Sequence, residues 1–191
     1  MRFKSAAQRS AVIITIIILS ALIGYIYQFI GHRMDLRNHP QEYTEFVAKY
    51  SYEYGVPEYI IYGLILTESG FQSNMLSEDG KIGLMQISPD VYKMMQALTK
   101  ESAESGILYD PETNIRYGVY RLSYLFTEYS RWKTVIAIYL SDEDTVNIWL
   151  ENPAYTDDNG NLVKIPDPYL DAKVKQIEEA AEMYRKLYYT E

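Results

Sequence analysis

Glu68 stands where a proton donor could be built. Ile60, Ile61, Leu64 and Ile65 precede it at the spacing of one helix face. Glu68 follows Leu64 by four residues and Ile65 by three, so its carboxylate projects beside that apolar stripe. Pro57 suits the first turn of such a helix and Gly70 its end. A carboxyl group at the buried edge of a helix end is partly stripped of water. Its charged form is then disfavoured, and it can hold and deliver a proton near neutral pH. A partly exposed helix-terminal acid with no chemical role fits the same spacing. The remaining inventory narrows the chemistry. The 191 residues contain no cysteine and two histidines, His32 and His39, both just after an apolar segment. A disulfide framework, a thiolate metal site, a histidine-rich metal centre or a Ser-His triad within the main domain therefore has no material. Acid/base chemistry without metal or cofactor is what remains.

The company Glu68 keeps is more specific. Glu68-Ser69-Gly70-Phe71 is followed by Ser77, by Gly80 and by Gly83-Leu84-Met85-Gln86-Ile87. In this order and spacing the chain resembles the soluble lytic transglycosylase family, relatives of goose-type lysozyme that cleave the glycan strands of bacterial peptidoglycan. The resemblance runs from about Gln41 to Tyr188. It implies a lysozyme-like arrangement of helices around a glycan cleft, with Glu68 as the single catalytic acid and base. It also places Ser77, Met85 and Gln86 against the substrate. Asn114-Ile115, Gly118 and Leu122 match the family's mid-domain helix. Ala137-Ile138-Tyr139 falls where the family has Ala-Ala-Tyr-Asn-Ala-Gly, and Val146 and Trp149 fit the family residues just beyond that motif. Tyr139 is thereby the candidate for the family's active-site tyrosine, which hydrogen-bonds near the acid. It is also one of 20 tyrosines, and simple packing is its other reading.

Two departures from the family pattern stand out. Leu140 replaces the asparagine after the tyrosine and Asp142 the closing glycine, so that turn is rebuilt. Ile165-Pro166 matches the family's Ile-Pro, but its following Glu-Thr is Tyr169-Leu170 here. The family glutamate at that place helps to bind sugar, and Asp167 is the nearest carboxylate.

Glycoside cleavage ordinarily takes two carboxylates. The resemblance implies one, with the substrate supplying the rest. Glu68 protonates the oxygen between N-acetylmuramic acid and N-acetylglucosamine, and the 2-acetamido carbonyl stabilises the developing oxocarbenium. Glu68 then takes the proton of the muramoyl C6 hydroxyl as a 1,6-anhydro ring closes. A lysozyme-like hydrolase is the alternative, with Glu78 or Asp79 positioning water; both also read as solvated turn residues. A glycan-binding or scaffold module without catalysis is a third reading.

The elements that must hold these residues are almost all helical, and the fold class is all-α. Phe46, Val47, Tyr50 and Tyr54 mark a first amphipathic helix closed by Gly55, and the helix bearing Glu68 comes next. Residues 71–82 form a loop, with Asp79-Gly80 suited to a tight turn. Ser88-Pro89-Asp90, Asp110-Pro111-Glu112 and Asp167-Pro168 each read as a helix start. Ile115, Val119, Leu122, Leu125 and Phe126 form a helical stripe carrying Gly118, where another backbone could approach. Residues 132–140 and 145–150 read as two more helices, residues 151–164 as a loop, and the last helix runs to about Tyr188.

The chain divides by composition into a basic head over residues 1–10, a transmembrane anchor over 11–30, a linker over 31–40 and the main domain over 41–191. The head carries Arg2, Lys4 and Arg9 with no acid. An apolar run of twenty residues spans about 30 Å as a helix, the thickness of a bilayer core. A cleaved signal peptide is the rival reading, but its apolar region is usually shorter and ends in a small-x-small site. The basic head belongs on the cytoplasmic side, which leaves the domain outside the cell membrane. Without the head's three basic residues, 15 basic side chains face 26 acidic ones, a net charge of −11. That sign argues against nucleic acid as a partner and is compatible with peptidoglycan glycan strands.

Overall fold

A computed structural model describes residues 6–99 and 105–190. The chain forms two compact units, Met1–Pro40 and Gln41–Glu191. Among the described residues the first is one helix, α1 (Ala6–Asn38). Its large apolar side chains are uncovered, Ile17 at 62% and Ile23 at 67% exposure. The stretch Ser10–Asn38 is long and apolar enough to cross a membrane. Arg2 and Lys4 of the expected basic head lie outside the described residues. The expected linker is helical as far as Asn38. A lone Gly31 costs a helix only about 1 kcal/mol, and residues 32–37 contain no proline or β-branched side chain to stop it. Pro40 then bars continuation.

The second unit holds seven α-helices among its described residues: α2 (Thr44–Tyr54), α3 (Glu58–Ser69), α4 (Pro89–Thr99), α5 (Pro111–Tyr129), α6 (Trp132–Leu140), α7 (Glu143–Leu150) and α8 (Pro168–Tyr188). A short 3₁₀ turn, Ser105–Tyr109, precedes α5. No strand forms among the described residues; three isolated bridges stand in its place, two of them in the loop after α3. The fold is all-α, as the sequence predicts.

The Asp-Pro start signals act as their chemistry requires. The Asp110 carboxylate accepts the Thr113 N–H at 2.9 Å, and Asp167 that of Leu170 at 2.9 Å; Asp142, not read as a start, caps α7 in the same way through the Thr145 N–H at 2.8 Å. Asp142 and Asp167 also line the cleft beside Glu68, so two of these caps fix helix ends at the site.

At the centre lies α3. The expected one-sided stripe is in fact a helix buried nearly all round, since Ile60, Ile61, Tyr62, Gly63, Leu64 and Ile65 are all inside. It packs along α8, and Gly63 is where the two backbones meet. A Cβ on Gly63 would lie 2.8 Å from the Ala181 amide nitrogen. Gly118 does something else than expected: the Met85 side chain fills the space against it, not a neighbouring backbone.

Candidate active site

The last turn of α3 carries Glu68, and Gly70 closes it in the left-handed conformation at φ 56°, its N–H shared between the Ile65 and Leu66 carbonyls at 3.1 Å each. Ser69 ties this end to the next motif. Its hydroxyl is within hydrogen-bond distance of the Ile65 carbonyl at 3.1 Å and of the Leu84 carbonyl at 2.7 Å. The stretch Glu68-Ser69-Gly70 therefore supplies an acid, a clamp and a stop, one per residue.

Gly83-Leu84-Met85-Gln86 is held from the other side by Asn114, fully buried at the start of α5. Asn114 Oδ1 accepts the Met85 N–H at 2.7 Å, while Nδ2 donates to the Ile82 and Leu108 carbonyls at 2.9 and 2.8 Å. Gly83 and Gln86 both take positive φ, 79° and 50°. For a glutamine that conformation is unfavourable and has to be over-determined by its surroundings. Here Gln86 Nε2 donates to the Gly83 carbonyl at 2.8 Å, which holds the turn closed.

Tyr139, on α6, donates its hydroxyl proton to the Met85 carbonyl at 2.9 Å. Burial pushes the Tyr139 hydroxyl well above the usual tyrosine range; the Arg121 guanidinium, 5.0 Å from the ring centre, opposes that, and the nearby charge of Glu68 adds to it. Tyr139 is therefore a neutral donor at physiological pH. It meets the Met85 backbone, within electrostatic reach of the acid.

Glu68 and Gln86 border one cleft of about 580 Å³, and Tyr139 is not among the residues lining it. Glu68, Ser77, Gln86 and Asp167 all line it. Met85 does not present its side chain there. It is fully buried and packed against Gly118, and it contributes backbone groups to Asn114 and Tyr139 instead. Met85, expected against substrate, is thus not among the residues lining the cleft. Asp167 reaches the cleft but has a structural task as well, as the cap of α8.

The loop after α3 forms one wall. The Ser77 hydroxyl bonds to the Asp79 carboxylate and accepts the Lys81 N–H at 2.9 Å. That hydroxyl, with Lys81 adding to it, holds the Asp79 carboxyl below its usual range. Lys81 Nζ crosses to the Leu140 carbonyl at 3.3 Å, so the loop is tethered to the end of α6. The departure at 142 finds its reason here, since Asp142 starts α7 as a cap. At 140 Lys81 meets the backbone carbonyl, which any residue would offer, and nothing in the structure explains the leucine side chain. Glu78 is not among the residues lining the cleft.

The opposite wall is α7 and α8, through Thr145, Trp149, Tyr169, Leu170 and Lys173. Tyr169, which stands where the resemblance expects a sugar-binding glutamate, is 74% exposed. Lys173 is the residue the sequence reading missed. Its Nζ lies 3.0 Å from Glu68 Oε1, and the side chains are 30% and 9% exposed. One signal pointed to it: Lys173 lies between Leu170, Val174 and Ile177, a lone cation at the edge of an apolar helix face.

Comparisons with known proteins bear on the family and the fold. Residues 45–161 match the family described as Transglycosylase SLT domain. A curated relative, membrane-bound lytic murein transglycosylase C of Actinobacillus succinogenes, is 35% identical over 115 residues. That alignment covers 56% of this chain, which spans only 31% of the relative. In fold, the 70 kDa soluble lytic transglycosylase of Escherichia coli matches with a TM-score of 0.72 at 24% identity, over 84% of this chain and 29% of that one. A complex of the 70 kDa soluble lytic transglycosylase with bulgecin A matches with a TM-score of 0.76 at 24% identity, over 82% of this chain and 26% of that one.

Proposed function

The chain belongs to the transglycosylase SLT domain family, and on that premise we propose that it is a membrane-anchored lytic transglycosylase of peptidoglycan. The observation that supports this best is Glu68 itself. Its side chain, 9% exposed, faces a cleft of about 580 Å³ from a helix end clamped by Ser69, Gly70 and the Gly83–Gln86 turn. Such bracing gives a proton donor a fixed position, which is what general acid catalysis demands.

In the proposed reaction a protonated Glu68 gives its proton to the glycosidic oxygen between N-acetylmuramic acid and N-acetylglucosamine. The bond from that oxygen to muramoyl C1 breaks with its electron pair staying on oxygen. The 2-acetamido carbonyl of the same sugar supports the positive charge at C1. Glu68, now a carboxylate, accepts the proton of the C6 hydroxyl as that oxygen bonds to C1 and closes the 1,6-anhydro ring. Glu68 ends protonated, ready for another cycle. Holding the internal hydroxyl in place of water converts the second step into an intramolecular one, for which effective molarities of about 10⁵ M and above are known. Ser77, Gln86 and Asp167 line the cleft as sugar contacts, and Tyr139 fixes the Met85 backbone behind them.

A hydrolase is the second reading, since the Asp79 carboxylate lies in the same cleft. Its oxygens are already engaged by Ser77 and Lys81, which disfavours it as a water-positioning base. In the proposed placement α1 spans the cell membrane once, with the domain on the extracytoplasmic side. The relative's name, membrane-bound, and the positive-inside rule support it.

Weighing the products released from purified peptidoglycan tests the reading. Muropeptides lighter by one water than the hydrolysed form are expected. Hydrolysed ends would make the chain a muramidase, and a folded chain that binds glycan and releases nothing would make it a binding module.

A further inference from the structure

Resting on that reading, we infer that Lys173 is a positioning residue for the proton donor. It fixes the Glu68 carboxylate through one oxygen and stabilises the charge that Glu68 acquires as its proton leaves.

The geometry has three parts. First, Lys173 Nζ donates to Glu68 Oε1 at 3.0 Å, and the carboxylate is largely shielded from water. A charge-assisted hydrogen bond in such a place is stronger than one on the surface. Second, the attachment is stiff. The α3 and α8 backbones touch at Gly63 and Ala181, five residues before Glu68 and eight after Lys173. Both helix ends at the cleft are capped, by Gly70 and by Asp167. Third, the other cleft lysine is otherwise occupied. Lys81 Nζ lies 3.3 Å from the Leu140 carbonyl and 3.4 Å from Asp79.

The consequence comes from where charge develops. With Oε1 turned to Lys173, the second oxygen of Glu68 is the one free to face the glycan. When the proton passes from Glu68 to the glycosidic oxygen and the C1–oxygen bond breaks, a full negative charge appears on the carboxylate. An ammonium already aimed at Oε1 meets that charge without reorganising, which is the condition for transition-state stabilisation. Lys173 keeps its own protons throughout. The proton from the C6 hydroxyl returns to Glu68, and the balance closes.

The test is steady-state cleavage of purified, peptide-free glycan strands by the full chain in detergent, with Lys173→Met, Lys173→Gln and Lys173→Arg beside wild type and thermal melts of all four. The expected result is a fall in kcat of about tenfold to a hundredfold for the Met and Gln variants that melt like wild type. KM should stay within about twofold, and Lys173→Arg should recover part of kcat. An unchanged or raised kcat in an active, folded variant would overturn the inference and leave the pair a resting contact. A raised KM with kcat intact would overturn it too, making Lys173 a glycan contact. A wild-type chain that releases no product would overturn the transglycosylase reading itself, and this role with it.

Discussion

Asn114 and Gly83 are built around each other. A Cβ on Gly83 would stand 2.8 Å from Asn114 Cγ and 2.5 Å from the Leu108 carbonyl oxygen. The same carboxamide makes three hydrogen bonds to backbone on either side of that glycine and in the turn before α5. Gly83→Ala should therefore unfold at markedly lower urea, since the new methyl meets backbone that cannot yield and φ is 79°. Asn114→Ala strands the Met85 N–H and the Leu108 carbonyl in the interior, while the Ile82 carbonyl keeps the Ile87 N–H at 3.0 Å. At about 1–3 kcal/mol for an unsatisfied buried group, a loss of about 2 kcal/mol or more is expected in urea unfolding. A loss under about 1 kcal/mol would mean that the turn does not depend on this bracket.

Gly63 makes a second sharp test. Its added Cβ would fall 2.8 Å from the Ala181 nitrogen and 3.0 Å from its Cα, so α3 and α8 must move apart to accept it. Gly63→Ala should cost about 1–3 kcal/mol in thermal or urea unfolding. It should also lower cleavage at temperatures where the variant is folded, because the shift opens the Glu68–Lys173 contact. Full activity in a destabilised variant would show that the contact tolerates the shift.

Much of this site was legible before any coordinates, and the limits have physical causes. Helix phase and Gly70 place Glu68 at a helix end, and the Asp-Pro and Ser-Pro pairs mark true starts because capping is local chemistry. Side-chain direction within a turn is not local. The spacing of Gly83-Leu84-Met85-Gln86 cannot say that Met85 turns inward onto Gly118 while Gln86 faces the cleft. The pairing of Lys173 with Glu68 was out of reach for another reason: the two lie 105 residues apart in sequence, and the packing of α3 on α8 brings them together. The stretch read as a linker, residues 31–40, is helical as far as Asn38, since one glycine and a polar composition do not end a helix.

Asp167 has two roles that one substitution separates. Asparagine caps helices as well as aspartate does, whereas alanine does not. Asp167→Ala should lose about 1 kcal/mol of stability, and Asp167→Asn close to none. If the carboxylate also contacts sugar, Asp167→Asn should bind glycan strands more weakly at unchanged melting temperature. Unaltered binding in that variant would confine Asp167 to capping.

High pH should unfold the domain through its buried tyrosines. Burial holds the hydroxyls of Tyr62, Tyr139 and Tyr184 above the ordinary value of 10.0. The folded state thus binds protons that the unfolded chain releases. This stabilisation is complete below about pH 10 and drains away as pH rises through that value toward the folded ones. The tyrosinate absorbance of these buried rings and the loss of helical circular dichroism should rise together in an alkaline titration. A full tyrosinate signal from an intact helical protein would contradict the assignment of these rings to the core.

The central claim is that Glu68 gives and takes the proton, and Glu68→Gln tests it most directly. Glutamine keeps the side chain's size and cannot transfer that proton. Products from purified peptidoglycan should be weighed for wild type, Glu68→Gln and a control, Glu78→Gln, with melting curves beside them. The account predicts anhydro-ended muropeptides from wild type and the control, and none from a Glu68→Gln chain that folds and still binds glycan. More than a few per cent of wild-type turnover in Glu68→Gln would contradict it, and so would hydrolysed ends in place of anhydro ends.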